Sequence, residues 1–384
     1  MFRTTARTAA LVLATLFASQ TAAAQEALGD RLSIHGSANI GYGKTDGLPY
    51  FGMTKDGTSD YRSLALQFGY KIDDKNRVVT QLLHRNFGES PTKAITPVIE
   101  PIWAFYEHKF DGGVTLKAGR NPLPRGLFNE IRFIGTLLPF YRVGNSVYGE
   151  TLEYIDGVVI RKPFDIGSGW SLDSYVFAGG YDLKYQIPLS SGTVVGKIRN
   201  ENSIGTQLWL KTPVKGVKFG TFVQSYQGTP NVTLPKDKRP SRTITAMYSA
   251  DATFDKAFAR AEYATFQAKA PGYLNFRSYY VQAGITPTEK WTIAGEYDGG
   301  NNNLSFAPAP IPNLDLPLNQ DVGFGITFKP STQVAFKFEG HQVNGYAFDS
   351  RVPSVIPPTR PPLVMTLAPK SKSNYALLSV AFAF

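Results

Sequence analysis

The amino-acid sequence predicts an all-β chain, a transmembrane antiparallel β-barrel of about sixteen strands whose third long loop folds inward. Three observations predict it. The chain opens on an export segment. It closes on an alternating strand that stops at an aromatic residue, Phe384. Between them, short turns and long loops alternate, and charge keeps to one parity of nearly every strand.

The export segment comes first. Arg3 and Arg7 precede an apolar run from Ala9 to Ala18, and Ala22 and Ala24 supply a small-x-small cleavage pattern. This reads as a signal peptide over residues 1–24, too short to span a membrane as a helix, and leaves 25–384 as one barrel domain. Elsewhere no apolar run approaches the roughly 18 residues that a spanning helix needs, so any membrane is crossed by strands. The 384 residues include no cysteine, so no disulfide staples the exported chain. Mean hydropathy is slightly negative although aromatics are plentiful, as expected where apolar and polar residues alternate. The formal charge of +10, or +8 without Arg3 and Arg7, is too evenly spread for a nucleic-acid footprint, and no nucleic-acid partner is expected.

The first strand, about Arg31 to Tyr42, sets Leu32, Ile34, Ala38, Ile40 and Tyr42 against Arg31, Ser33, His35, Ser37 and Asn39. A loop from Gly43 to Asp60 follows, then a second strand with Leu64, Leu66, Phe68 and Tyr70 against Ser63, Gln67 and Lys71. Turn chemistry recurs at IDDKN, FDGG, KPFDIGSG, TPVKG, TFDK, TPTEK and KPST, each with Asp, Gly, Pro or Ser where the chain must reverse. The longer stretches between them are 43–60, 88–99, 121–153, 179–202, 227–241, 268–272, 298–320 and 345–371. Seven turns and eight loops give about sixteen strands with both termini on one side, although fourteen or eighteen also fit. The last strand separates Ala376, Leu378, Val380, Phe382 and Phe384 from Tyr375, Leu377, Ser379, Ala381 and Ala383. It must pair on both edges, and the first strand is the natural partner.

Facing follows from charge. Val217, Phe219 and Val223 alternate with Lys218 and Gln224; Val322, Phe324 and Ile326 with Asp321 and Thr327; Phe336 and Phe338 with Lys337 and Glu339. A charge on lipid near the midplane costs roughly 2–4 kcal/mol, so this sorting is expected of a membrane barrel and unnecessary in a soluble sandwich. The third strand resists, because Arg85 shares a parity with Val79 and Leu83.

The loop over 121–153 is the longest, and holds Arg125, Arg132, Arg142, Glu130 and Glu150 among Leu127, Phe128, Ile131, Phe133, Leu137, Leu138 and Phe140. Apolar bulk of that kind needs a wall to pack on, which turns the loop into the lumen. Arginine there suits an anion-facing constriction, since its fork stays charged. The alternative is a cap whose Arg and Glu are simply paired. Lumen parity also carries Arg31, His35, Lys71, Lys109, Lys117, Arg161, Lys211, Lys218, Arg260 and Lys337, against Glu107, Asp173, Glu262, Glu296 and Glu339. Glu107 and Lys109, Arg260 and Glu262, and Lys337 and Glu339 are two apart on one face, where they are expected to pair. Cations exceed anions, so the interior field favours anions.

The C-terminal strand resembles that of Gram-negative outer-membrane barrel proteins, which end in Phe and present that strand to the barrel-assembly machinery. The layout resembles the sixteen-stranded porins, in which the third loop enters the channel. The run AGRNPLPRGLFNEIR, Ala118 to Arg132, is similar to a segment of the phosphate-selective-porin-like group, and that likeness implies Arg120, Arg125 and Arg132 as pore-loop positions. No dense Arg or Lys ladder accompanies it, so phosphate selectivity is not carried over.

The expected function is therefore passive diffusion of small hydrophilic solutes with an anion preference, in a bacterial outer membrane, among its lipids. No cofactor or metal is implied, and a homotrimer is considered but not decided by the sequence. A non-conducting structural or adhesin barrel is the alternative, kept open by inward Trp103, Phe105, Trp209, Phe222 and Tyr280. A barrel-embedded lipid hydrolase is less favoured, and the chain is read as a non-enzyme. His35, His84, His108 and His341 are scattered, and neither GxSxG nor HExxH occurs.

Overall fold

The computed structural model describes residues 29–90, 93, 98–149, 152–189, 192–230, 241–269, 273–305, 314–346, 348–349 and 370–384. The signal segment and Glu150 lie outside these residues, as do the proline-rich runs 306–313 and 350–369.

Sixteen strands form one closed barrel, each pairing antiparallel with its neighbours in sequence and the first with the last. They are β1 (Leu32–Thr45), β2 (Thr58–Lys71), β3 (Asn76–Phe87), β4 (Glu100–Lys109), β5 (Thr115–Pro122), β6 (Tyr154–Gly167), β7 (Trp170–Leu189) and β8 (Gly192–Lys211). The second half is β9 (Val217–Pro230), β10 (Ser241–Thr253), β11 (Ala257–Lys269), β12 (Tyr273–Thr288), β13 (Trp291–Ser305), β14 (Leu314–Ser331), β15 (Val334–Gly345) and β16 (Ser371–Ala383). Closure leaves no strand edge unpaired, which is what lets a sheet sit in hydrocarbon.

The closing seam runs from Ser37 opposite Ala383 to Thr45 opposite Tyr375. Both its ends are tied. At the turn side, Gly36 N–H donates to Phe384 O at 3.1 Å and Phe384 N–H to Gly36 O at 3.0 Å. A Cβ on Gly36 would overlap the Phe384 ring, so a larger residue there would have to displace the terminal aromatic. At the loop side, Asn374 donates to Asp46 from its backbone at 2.7 Å and from its amide at 2.6 Å. The Asn374 side-chain amide holds the Asp46 carboxyl below its ordinary value.

The two faces sort as the alternation requires. Ile40, Tyr42, Val176, Val281, Val322, Phe324, Phe336 and Leu378 are exposed on the outside. Their neighbours Asn39, Gln282, Asp321, Thr327, Lys337 and Ser379 are buried within. Tyr70, Phe164, Trp170 and Trp291 lie exposed where strands meet the short turns, the depth at which amphipathic rings settle at a membrane surface. Val281 sits at the middle of β12, so Val281→Arg is expected to weaken folding into lipid vesicles by roughly 2–4 kcal/mol. The same change at an aqueous strand end should cost far less.

One ambiguity resolves and two local expectations change. Val79 and Leu83 face inward together with Arg85, because the interior there is apolar: they pack in one cluster with Phe128 and Phe133. The stretch 179–202 is mostly strand, with β7 and β8 paired from Tyr181–Asn200 to Leu189–Gly192 beyond a register shift at Gly179. Glycines that read as a loop signal instead mark a bulge. Arg31 precedes β1 in a short 3-10 turn and is exposed, outside the wall.

Candidate functional site

The segment 123–153 between β5 and β6 bonds to side chains of eight strands from around the circumference, β2 among them through Tyr61. Ser37 Oγ donates to Phe133 O (2.8 Å) and Asn39 Nδ2 to Tyr141 O (3.2 Å) from β1. Gln207 on β8 accepts from Gly126 N–H, and Glu262 on β11 accepts from Leu127 N–H and from the Tyr148 and Tyr280 hydroxyls. Asp298 on β13 accepts from Ser146 N–H, while Thr327 on β14 and Lys337 on β15 donate to Pro139 O and Phe140 O at 2.9 and 2.7 Å. Glu339 accepts from Tyr141 N–H. Arg85 on β3 makes two bonds to Glu153, of 2.6 and 2.7 Å. Every one of these wall residues has the parity opposite the exposed apolar face.

The charged residues of the segment are committed to holding it. Arg132 donates to Gly149 O and lies 3.6 Å from Glu153. The Arg142 guanidinium stacks on Phe51 and Phe87, 4.5 and 4.6 Å from the ring centroids, and donates to the Tyr61 hydroxyl. Arg125 is buried and donates to Val147 O at 2.6 Å; burial pushes its guanidinium below the ordinary value, yet an arginine there remains charged. Glu130 is exposed. Arg120 departs from its expected place: it lies in β5, on the parity of the exposed Val158 and Ile160, and bonds Asp156 at 2.7 and 3.1 Å. Lys71 and Lys109 also leave the constellation, as exposed residues ending β2 and β4, Lys71 being paired with Asp74 in the turn.

What assembles on the wall is a repeating stripe over β3 to β11, in the half of the barrel nearer the short turns. Glu107 lies between Arg77 (2.8 Å) and Lys117 (4.0 Å), and Asp173 between Arg161 (3.0 Å) and Lys211 (2.7 Å). Asp251 lies between Lys218 (3.9 Å) and Arg260 (3.3 Å). Three carboxylates thus serve six cations, a net +3, and Arg77, Arg161, Lys211 and Lys218 keep much of their side chains exposed to the lumen. The pairs expected two residues apart do not form. Along a strand such residues stand about 6.7 Å apart, whereas residues opposite each other across strands come within roughly 5 Å. Glu107, Arg260 and Lys337 accordingly take partners across strands or on the segment, and Glu262 and Glu339 anchor it. Arg77 and Asp251 were not singled out from the sequence. Arg77 sits in the strand whose facing was ambiguous, and the alternation of Ser249 and Asp251 with Ala250 was the signal for the other.

No family model and no curated protein matches this chain. Solved structures resemble it in fold. OmpF of Salmonella typhi, in complex with daunomycin, aligns at TM-score 0.59 and 12% identity over 92% of this chain and 97% of that one. An anion-selective porin from Comamonas acidovorans aligns at 0.54 and 12%, over 92% and 99%. OmpT, an outer-membrane protein of Vibrio cholerae in a trimer form, aligns at 0.55 and 9%, over 92% and 99%. The chain therefore has the fold of outer-membrane porins.

Proposed function

We propose that this chain is a diffusion channel of a bacterial outer membrane, passing small hydrophilic solutes and favouring anions. The stripe of shared carboxylates carries the reading. A lumen face with six cations on three carboxylates presents a positive potential to any solute that passes it. The segment 123–153 narrows the path, and its Arg132 and Arg142 shape that constriction through bonds to Glu153, a backbone carbonyl and the Tyr61 hydroxyl rather than by meeting the solute. The likeness of Ala118–Arg132 to the phosphate-selective group is not extended to function, because Arg120 and Arg132 are bound to Asp156 and Glu153.

No catalytic role is assigned. His341 is enclosed by Asp321 at 3.1 Å and stacks on Tyr375, and His84 accepts from Arg62. The likeness to a barrel in a trimer form supports a homotrimer here, to be checked by sedimentation in detergent. Lipid contact and delivery of β16 to an assembly machinery accompany this reading. Single-channel recording of the purified protein tests it. Stepwise ohmic currents are expected; a barrel that inserts without current would be a closed structural one.

A further inference from the structure

A cavity of about 450 Å³ lies between residues 145–149 with Leu152 and the inner faces of β7, β9 to β12 and β14, in the half of the barrel nearer the long loops. That is the size of a small-ligand site, and its lining is of the usual kind, apolar with few polar groups. Tyr148, Phe222, Tyr226, Phe266 and Phe276 supply rings, and Met247 adds a pliable apolar side chain.

Two polar groups of the lining stand out. Arg125 is only 6% exposed; its Nη2 donates to Val147 O, its Nη1 has no hydrogen-bond partner, and among the described residues no carboxylate lies within 4 Å of it. Thr245, also 6% exposed, has a hydroxyl with no partner. A buried cation with an unused donor is costly to hold unless something satisfies it. A carboxylate does so best, because its two oxygens match the guanidinium fork. The surrounding rings favour a ligand whose remaining body is apolar and flat.

We propose that this cavity binds small organic carboxylates with an apolar, ring-bearing body, the carboxylate against Arg125 and Thr245 and the ring among Phe222, Tyr226 and Phe266. As a step in permeation it rests on the channel reading, and it names the solute class that the channel holds before the stripe. Binding itself requires no conduction.

The full-length protein in detergent should therefore bind benzoate saturably in equilibrium dialysis. Acetate, which lacks the ring, and benzyl alcohol, which lacks the charge, should bind at least roughly tenfold more weakly. Arg125→Gln should weaken benzoate by at least about tenfold. Since that change also removes a bond within the segment, Ala264→Leu is the second variant: it fills the cavity from β11, leaves the Arg125 bonds alone, and should remove benzoate binding from a barrel whose β-sheet circular dichroism is intact. In planar bilayers, benzoate should reduce the current of the unmodified protein with the same concentration dependence. A conducting barrel that binds benzoate no better than acetate, or whose Ala264→Leu form binds it equally well, overturns the site and leaves the channel. A barrel that binds benzoate and carries no current keeps the site and overturns the channel.

Discussion

Replacing Arg77, Lys211 and Lys218 together by glutamine is expected to lower the chloride-over-potassium permeability ratio by roughly 3–10-fold. The three are chosen so that no carboxylate is stranded: Glu107 keeps Lys117, Asp173 keeps Arg161, and Asp251 keeps Arg260. The stripe falls from net +3 to zero while each remaining pair stays in place. Lys211 and Lys218 are at least a third exposed, so their loss should change stability by no more than about 1 kcal/mol each, while loss of Arg77 should cost more, because the buried Glu107 then keeps Lys117 at 4.0 Å. Zero-current potentials in a KCl gradient read the ratio directly. An unchanged ratio would remove the stripe from the mechanism and return attention to the segment. Neutralising Arg132 and Arg142 is expected to act differently, by loosening 123–153 and making single-channel currents noisier, since both are bound to the fold.

The largest effect on stability is expected at Arg85. Its guanidinium is bidentate to Glu153 and lies 3.6 Å from Glu100, with all three side chains almost fully buried. Arg85→Met would leave two carboxylates facing each other out of water, a situation that typically costs about 3–5 kcal/mol. Glu153 would retain Arg132 at 3.6 Å. Urea unfolding of the refolded protein in vesicles measures this. The double variant Arg85→Met with Glu153→Met should recover part of the loss, because the unpaired charge on the segment goes with it. A single variant within about 1 kcal/mol of the parent would mean that this pair is not what ties the segment to β3.

The outward face was legible residue by residue, because lipid tolerates almost no exception. Val217, Phe219 and Val223 or Phe336 and Phe338 could hardly face anywhere else. The inward face was less so, since an interior may be wet or packed. The face of Val79 and Leu83 was ambiguous, because they share a parity with Arg85, until the segment supplied Phe128 and Phe133 for them to pack on. Charge pairing was misassigned along strands because sequence spacing is visible and register is not. Asp251 becomes the partner of Lys218 and Arg260 only once β9, β10 and β11 are aligned. Arg120 read as a loop residue from a likeness of fifteen positions, yet β5 continues through it to Pro122 and turns it outward. That Arg125 meets Val147 O and the Tyr148 ring but, among the described residues, no carboxylate had no sequence signal at all, because it depends on where Glu153 and Glu262 found other partners.

The sign of the zero-current potential of the unmodified protein, reconstituted in a planar bilayer across a KCl gradient, tests the central claim most directly. A potential on the chloride side of zero is expected from a lumen stripe in which three carboxylates are shared among six cations. A potential on the potassium side would contradict it.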